Sequence, residues 1–213
     1  MELLFRNKDE IHPQPKVPSL CYIKNVITNP NIIVGDYTYY DDVNSGGEDF
    51  EKHVTHFYPH LDDKLIIGKF CSIAKGVEFV MNGANHPMNA ISAFPFGIFI
   101  ENKPTIPKDI ITNKGDTIIG NDVWIGQNVT FMPGIKVGDG CIIGTNAVVA
   151  KDIPPYSIAV GNPARVVKKR FDDNTIKRLL ELKWWDMPIE TIEENFELLQ
   201  DKNIERFILK FEK

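Results

Sequence analysis

Five histidines are the side chains of this chain best suited to moving a proton. They are His12, His53, His56, His60 and His86. An imidazole can serve as a base near neutral pH because its unperturbed pKa lies close to physiological pH. Of the five, only His86 stands where a regular repeat gives way to a long loop, and loops on a rigid scaffold often carry function. His86 is therefore the first candidate for catalysis.

Three other histidines, His53, His56 and His60, are spaced at i, i+3 and i+7. On a helix they would share one face, which would allow a metal site. The alternative is a polar loop or a short helix. No cysteine or paired carboxylate stands with them to complete a ligand set. We therefore favour the loop and predict a site without a metal.

The elements that must position His86 follow a period of six residues. Apolar residues recur at every sixth position in two interleaved series. One series is Ile119, Ile125, Phe131, Val137, Ile143 and Val149, and the other is Val123, Val129, Ile135, Cys141, Ala147 and Ile153. A period of six is neither helical nor the plain alternation of a half-buried strand. It indicates a parallel β-helix, in which each hexapeptide forms one short strand and a turn.

The repeat occurs in three blocks, which begin at Val34, Ile67 and Ile119, and one more unit is expected at residues 160–165. Two excursions interrupt the repeat, at about residues 40–64 and 85–115. Long loops in a compact domain usually carry function. Each excursion should leave a corner of the β-helix and form a wall beside it.

Apolar residues follow helical spacing from Asp172 onward. Asp172, Asp173 or Asn174 would cap the first helix, and Trp184 with Trp185 should anchor the helices on the coil. We predict a mainly β domain over residues 1–171 and a helical extension over residues 172–213. The extension should cover the open end of the coil, because solenoids need capped ends.

The composition excludes several classes of function. The 213 residues carry a net charge of −5, so we expect no nucleic-acid partner. No apolar run approaches the length of a membrane span, and charged residues interrupt Met1–Pro15 before a secretory leader can form. We therefore expect a cytoplasmic protein with no membrane partner. The three cysteines, Cys21, Cys71 and Cys141, are expected to be small buried thiols.

Four stretches of the chain resemble one family. They are residues 31–40 (NIIVGDYTYY), 63–86 (DKLIIGKFCSIAKGVEFVMNGANH), 115–140 (GDTIIGNDVWIGQNVTFMPGIKVGDG) and 161–171 (GNPARVVKKRF). The chain is similar to the xenobiotic acetyltransferases of the left-handed β-helix class, which include the streptogramin and type B chloramphenicol acetyltransferases. The resemblance implies a left-handed parallel β-helix, a homotrimer with active sites between subunits, and acetyl transfer from acetyl-CoA to a hydroxyl of an antibiotic.

The resemblance also assigns roles to individual residues. His86, in MNGANH, matches the general base, and Trp124 matches a tryptophan that the family places near that histidine, in the cofactor site. Tyr39, Tyr58 and Asn82 match the acceptor side. The two edges of the interrupted repeat, at Asn85–His86 and Asp122–Trp124, should then meet as one active site.

The cofactor site is expected at the corners of the coil, where small residues would let a pantetheine arm lie close to backbone amides. These candidates are Gly126, Gly144, Thr145, Gly161 and Asn162. For the glycines, turn geometry alone is an alternative explanation. The phosphates of coenzyme A call for cations, and Arg165, Lys168, Lys169 and Arg170 follow directly after GNPA. A backbone N–H at the Gly126 corner is the suggested oxyanion donor.

Three alternatives to an antibiotic acetyltransferase stay open or fall at this stage. Pro87 stands where the streptogramin enzymes have arginine, and no tryptophan occurs between His86 and Trp124, so an acetyltransferase acting on a sugar or a small metabolite is the alternative. A γ-type carbonic anhydrase would need three histidines on the coils, and only His86 lies near them. A non-catalytic trimeric scaffold would bind no acetyl-CoA.

Overall fold

The computed structural model describes residues 5–102 and 111–212. Parts of the predicted units lie outside the described residues, namely 1–4 of the β domain, 103–110 of the second loop and 213 of the helical extension. Within the described residues no helix exceeds the ten residues of Asp173–Leu182, which is half the length needed to span a bilayer.

Fifteen short strands form the framework of the described chain up to residue 169. The strands are β1 (Leu20–Tyr22), β2 (Ile32–Val34), β3 (Tyr39–Asp41), β4 (Val54–Thr55), β5 (Leu65–Ile67), β6 (Ser72–Ala74), β7 (Glu78–Val80), β8 (Thr117–Ile119), β9 (Trp124–Ile125), β10 (Thr130–Phe131), β11 (Lys136–Val137), β12 (Ile142–Ile143), β13 (Val148–Val149), β14 (Ser157–Val160) and β15 (Arg165–Lys169). The prediction of a mainly β chain with C-terminal helices is confirmed.

The chain visits three sheets in a repeating order. The first sheet holds β2, β5, β8 and β11, the second holds β1, β3, β6, β9, β12, β14 and β15, and the third holds β4, β7, β10 and β13. Trp124 pairs in parallel with Ile142, and Thr130 pairs with Val148, so partners on neighbouring coils are 18 residues apart. Three hexapeptides therefore make one turn of a three-sided parallel coil.

The inside of the coil is filled by the two apolar series. All twelve of their side chains are at most 5% exposed. Phe79 and Phe131, on adjacent coils, stack with ring centroids 4.9 Å apart. The three cysteines are also buried and unpaired, as expected, and burial raises the pKa of the Cys71 thiol to about 12. The period of six thus identified the core correctly.

Small residues at the corners allow the coils to stack. Neighbouring strands lie only about 4.8 Å apart. A Cβ atom on Gly126 would lie 2.7 Å from the backbone nitrogen of Thr145 on the next coil. Coil stacking by itself therefore excludes a side chain at Gly126, whatever else this corner does.

The unit expected at residues 160–165 is not a further turn of the coil. β14 ends at Val160, and β15 returns antiparallel to it, with Val160 paired to Arg165. The hairpin turn still bonds the last coil, because Val148 N–H donates to the Gly161 carbonyl over 3.0 Å. β15 therefore closes the sheet edge at the end of the coil.

The C-terminal helices lie along a corner of the coil and not over its end. They are α2 (Asp173–Leu182), α3 (Ile189–Glu194), α4 (Phe196–Leu199) and α5 (Glu205–Phe211), and the loop helix that precedes them is α1 (Phe96–Phe99). The buried cluster of the C-terminal helices includes Ile176, Leu179, Trp185 and Ile208. It packs on Tyr156, which lies at a corner between the first and second sheets. Trp184 contacts Phe70, at the same corner of an earlier coil, with ring centroids 5.0 Å apart. The tryptophan pair is thus the anchor that was predicted, whereas the edge of the second sheet at the end of the coil is occupied by β15.

Asp172 caps α2, as one of the three residues considered. Its carboxylate accepts a hydrogen bond from Thr175 N–H over 3.0 Å. This bond satisfies one of the free amides at the start of the helix. The hydrogen bonds of Thr175 hold the pKa of Asp172 below its usual value.

Candidate active site

His86 stands at the start of the second loop, just after β7 and a short 3₁₀ turn over Asn82–Ala84. Its Nδ1 lies 2.6 Å from the backbone carbonyl oxygen of Ala93. A carbonyl only accepts hydrogen bonds, so Nδ1 carries a proton, and whenever the ring is neutral its Nε2 is the unprotonated nitrogen. The imidazole is thus in the tautomer that a general base requires.

His86 faces a cavity of about 550 Å³. The lining residues are His56, Tyr58, His60, Gly83, Ala84, His86, Pro95, Ile98 and Ile111. The first loop contributes one wall of the cavity, the 3₁₀ turn contributes Gly83 and Ala84, and the second loop contributes the rest. The two predicted excursions therefore come together around the predicted base.

The histidine triplet of the first loop does not form a helix face. His53 ends a short 3₁₀ helix, and its Nε2 lies 3.1 Å from the Tyr40 hydroxyl. His56 and His60 turn toward the cavity, where the His60 ring stacks on Tyr58 with centroids 5.8 Å apart. In residues 5–102 and 111–212 no three metal-binding side chains form a cluster.

Trp124 and Tyr39 lie on a different side of the coil from His86. Both belong to the second sheet, where Tyr39 pairs with Ser72, and Ser72 pairs with Trp124. Trp124 is 58% exposed. Neither residue lines the His86 cavity. Within one chain, the edges at His86 and Trp124 therefore do not form the single site that was expected.

The row that contains Trp124 continues toward the basic segment. Trp124 pairs with Ile142, Ile142 pairs with Ile158, and Ile158 pairs with Lys168. Residues paired across a sheet lie on one face. Lys168 is therefore on the face of Trp124, about 14 Å from it at the usual spacing of strands.

The basic residues after GNPA differ in whether a carboxylate neutralises their charge. Lys168 has no carboxylate partner among the described residues, whereas Lys169 forms an ion pair with Asp173. The Arg165 guanidinium bonds the Ala164 carbonyl over 2.8 Å. Arg170 bonds the Gly140 carbonyl over 2.7 Å and lies 3.5 Å from Asp122. Of the predicted cluster, Lys168 and Arg165 therefore keep their charge available to a ligand, and Arg170 serves the packing of the corner.

The predicted small residues of the cofactor site lie at corners of the second sheet. Gly126 is buried against Thr145, which is exposed, and Gly144 lies against Val160. Gly161, with a φ of +94°, and Asn162 form the exposed hairpin turn between β14 and β15. These corners follow the strands that carry Trp124 and Ile142.

Asn82, predicted on the acceptor side, is fully buried. Its side-chain nitrogen donates to the Asp63 carboxylate over 2.8 Å and to the Gly115 carbonyl over 2.9 Å. Its side-chain oxygen accepts from Asn85 Nδ2 and from Lys114 N–H. Every polar atom of the amide is thus bonded within the chain, and the structure does not bring Asn82 to the cavity surface.

Several residues of the site carry no signal in the sequence. Ala93 contributes through its backbone, which any residue type would supply. Pro95, Ile98 and Ile111 belong to an irregular loop without periodicity. His56 and His60 were considered only as possible metal ligands. Their place in one excursion, directly before the block that leads to His86, was the available clue.

The comparisons with known proteins agree on one activity. A family model of bacterial transferase hexapeptides (six repeats) matches residues 116–151. "Probable macrolide acetyltransferase" of Lysinibacillus sphaericus is 51% identical over 171 residues, which cover 78% of this chain and 94% of that protein. Virginiamycin A acetyltransferase of Staphylococcus aureus is 49% identical over 191 residues, covering 88% and 85%. Chloramphenicol acetyltransferase of Morganella morganii is 44% identical over 183 residues, covering 84% and 86%.

Proposed function

Because the chain belongs to the hexapeptide-repeat acetyltransferase family, and is itself an acetyltransferase, we propose that it transfers the acetyl group of acetyl-CoA directly to a hydroxyl of an antibiotic, with His86 as general base. One observation carries this proposal. The Ala93 carbonyl holds the proton on Nδ1 of His86, so that Nε2 is free to accept the proton of a hydroxyl in the cavity.

In the proposed reaction, His86 Nε2 removes the proton of the acceptor hydroxyl while its oxygen bonds to the thioester carbonyl carbon. The carbon–sulfur bond then breaks, and His86 returns the proton to the sulfur. The products are the acetylated acceptor and coenzyme A. A base positioned in this way typically accelerates proton transfer by about 10²–10⁴-fold.

The acceptor is proposed to be a hydroxylated antibiotic with a large apolar surface. The relatives named above act, by their names, on a macrolide, virginiamycin A and chloramphenicol. The cavity beside His86 has apolar walls at Pro95, Ile98 and Ile111. Such walls gain free energy from covering apolar surface and gain little from a sugar, whose surface is mostly hydroxyl.

Acetyl-CoA is proposed to lie along the outer face of the second sheet. The row from Trp124 to Lys168 offers an aromatic side chain at one end and a cation about 14 Å away at the other. An extended pantetheine arm can span this row, with the phosphates near Lys168 and Arg165. Thr145, Gly161 and Asn162 are exposed at the neighbouring corners, where the arm would meet the chain. Dependence on this intracellular metabolite also supports a cytoplasmic location.

The assembly is proposed to be a homotrimer of left-handed β-helices with active sites between subunits. The separation of the two half-sites supports this arrangement. His86 and its cavity belong to the loops beside the third sheet, whereas Tyr39, Trp124 and Lys168 share the second sheet. A neighbouring copy that places its second sheet against the His86 cavity would complete the site.

An acceptor panel tests the proposal. Release of free thiol from acetyl-CoA would be followed with virginiamycin A, chloramphenicol, a macrolide and maltose. We expect thiol release with at least one antibiotic. His86→Ala should lower the rate of release by about 10²–10⁴-fold. The matched control His12→Ala should keep the wild-type rate, because the His12 imidazole bonds Glu48 and does not line the cavity. Release with maltose alone, or wild-type turnover by His86→Ala, would overturn it.

A further inference from the structure

A hydrogen-bond network that begins at one buried carboxylate joins the three segments that form the His86 cavity. Asp63 lies at the end of the first loop, between a 3₁₀ turn over Pro59–Leu61 and β5, and it is 1% exposed. Its Oδ2 accepts two hydrogen bonds from Asn82, from the backbone N–H over 3.0 Å and from Nδ2 over 2.8 Å. The segment that leads from β7 to His86 is therefore bonded to the end of the first loop.

Asn82 extends this connection to the returning end of the second loop. Its Nδ2 donates to the Gly115 carbonyl over 2.9 Å, and its Oδ1 accepts from Lys114 N–H over 2.9 Å. Asn85 Nδ2 donates to Asn82 Oδ1 over 3.2 Å and to the Thr112 carbonyl over 2.7 Å. The exit and the return of the loop are thus held side by side through these asparagines.

His86 is the next residue after Asn85, so its backbone position depends on this network. The first loop, which Asp63 ends, carries His56, Tyr58 and His60 to the opposite wall of the same cavity. A displacement of Asp63 relative to Asn82 would therefore move the base relative to the acceptor. Misplacement of a catalytic group by about 1 Å can cost on the order of 100-fold in rate.

We propose that Asp63 is a positioning residue, whose carboxylate sets the distance between His86 and the acceptor wall through Asn82 and Asn85. The inference rests on the proposed function of His86 as the base. Both hydrogen bonds converge on one oxygen of a buried side chain, so they hold that side chain in one orientation. Asp63 does not line the cavity, so its effect would pass through His86.

The choice of variants follows from the two carboxylate oxygens. Asp63 Oδ2 accepts both hydrogen bonds from Asn82, whereas Oδ1 has no hydrogen-bond partner among the described residues. In Asp63→Asn the remaining oxygen can accept both bonds, and the amide nitrogen replaces an oxygen that has none. Asp63→Ala removes both bonds. Thr175→Ala is the matched control, because it removes a buried hydroxyl that bonds Asp172, away from the cavity.

The expected result is a split between kinetic constants. Asp63→Ala should lower kcat by roughly tenfold or more, with KM for acetyl-CoA unchanged. Asp63→Asn should retain most of the wild-type kcat, and Thr175→Ala should lose thermal stability without losing kcat. If Asp63→Ala fails to fold, Asn85→Ala, which removes the bond to Thr112, should show the same split. Wild-type kcat in Asp63→Ala or, where that variant fails to fold, in Asn85→Ala would overturn the proposal.

A double-mutant cycle separates this inference from the proposed function. If Asp63 acts through His86, then Asp63→Ala should cause no further loss in the His86→Ala background. An equal loss in both backgrounds would overturn the positioning role and leave the base assignment in place. Wild-type turnover by His86→Ala alone would instead overturn the proposed function itself.

Discussion

The His86 ring and the Ala93 carbonyl are 2.6 Å apart, and the same loop segment that supplies this carbonyl also supplies Pro95 and Ile98 to the cavity wall. The group that sets the tautomer of the proposed base and the surface proposed to meet the acceptor thus belong to one stretch of chain. An acceptor that fills the cavity would contact the segment that holds His86.

Replacing Ile98 should therefore weaken binding of the acceptor and leave binding of acetyl-CoA unchanged. Ile98→Ala removes apolar surface from the wall, and a change of this size in a hydrophobic pocket is worth about 1–3 kcal/mol. We expect kcat/KM for the antibiotic to fall by roughly 10–200-fold, with KM for acetyl-CoA unchanged. Steady-state kinetics with each substrate varied in turn would measure this. Leu209→Ala, at an exposed apolar residue of α5, is the control, and an equal effect there would contradict the assignment.

Lys168 and Lys169 are adjacent in sequence but should differ in function. Lys168 shares the sheet face of Trp124, whereas Lys169 is paired with Asp173. We expect Lys168→Ala to raise KM for acetyl-CoA several-fold and Lys169→Ala to leave it near the wild-type value. The shift for Lys168→Ala should shrink in high salt, since screening weakens exposed charge pairs. Equal Michaelis constants for both variants would contradict the placement of the phosphates.

Asp122 should make thermal stability depend on pH. Burial raises the pKa of its carboxyl from 3.8 to about 6, against the opposing effect of Arg170 and with a further upward contribution from Asp139. The folded state then holds the proton more tightly than the unfolded state, so the free energy of unfolding falls as pH rises from about 4 to 6 and levels off above. Asp122→Asn removes this titration.

Melting curves at pH 4, 5, 6 and 7 would measure the effect. We expect the Tm of Asp122→Asn minus the wild-type Tm to increase from pH 4 to pH 6 and then to level off, because only the wild type loses stability on ionisation at this residue. A difference that stays constant with pH would show that burial of Asp122 has no such consequence.

Gly126→Ala should destabilise the coil. Its Cβ atom would lie 2.7 Å from the Thr145 backbone nitrogen, which cannot move without shifting the next coil. Overpacking of this kind costs about 1–3 kcal/mol, or a fall in Tm of roughly 2–12 °C for a chain of this size. Differential scanning calorimetry would measure it. The neighbouring exposed residue gives the control Gln127→Ala, and similar melting of the two variants would argue against close contact of the coils.

The sequence predicted the coil well because the same two positions of each hexapeptide are buried in every repeat. Ile125 and Val129 recur with their series at six-residue intervals, and both are buried. The expectation of a further repeat unit at residues 160–165 was wrong. This segment has the residue pattern of a hexapeptide, but it connects β14 to β15, which run antiparallel. The pattern of residue types there records burial and turn chemistry, but not strand direction.

The site was less predictable because its geometry depends on contacts between distant segments. His86 was predicted as the base from its position at the end of a block, but its hydrogen-bond partner is a backbone carbonyl, and Ala93 has no distinguishing side chain. Asp63 and Asn82 are 19 residues apart and lie in loops, where no period relates them. Asn82 was assigned to the acceptor side because of its motif, but it is buried and bonds only groups of its own chain.

The hydrogen bonds of Asn82 and Asn85 hold the two ends of the second loop together. Changes further along that loop therefore need not alter the coil. Coil stacking does not depend on how many residues the loop contains, and closing a longer flexible loop costs only about 0.6 kcal/mol for each doubling of its length. The loop that lines the proposed acceptor cavity can therefore differ in length or sequence while the coil and His86 keep their places.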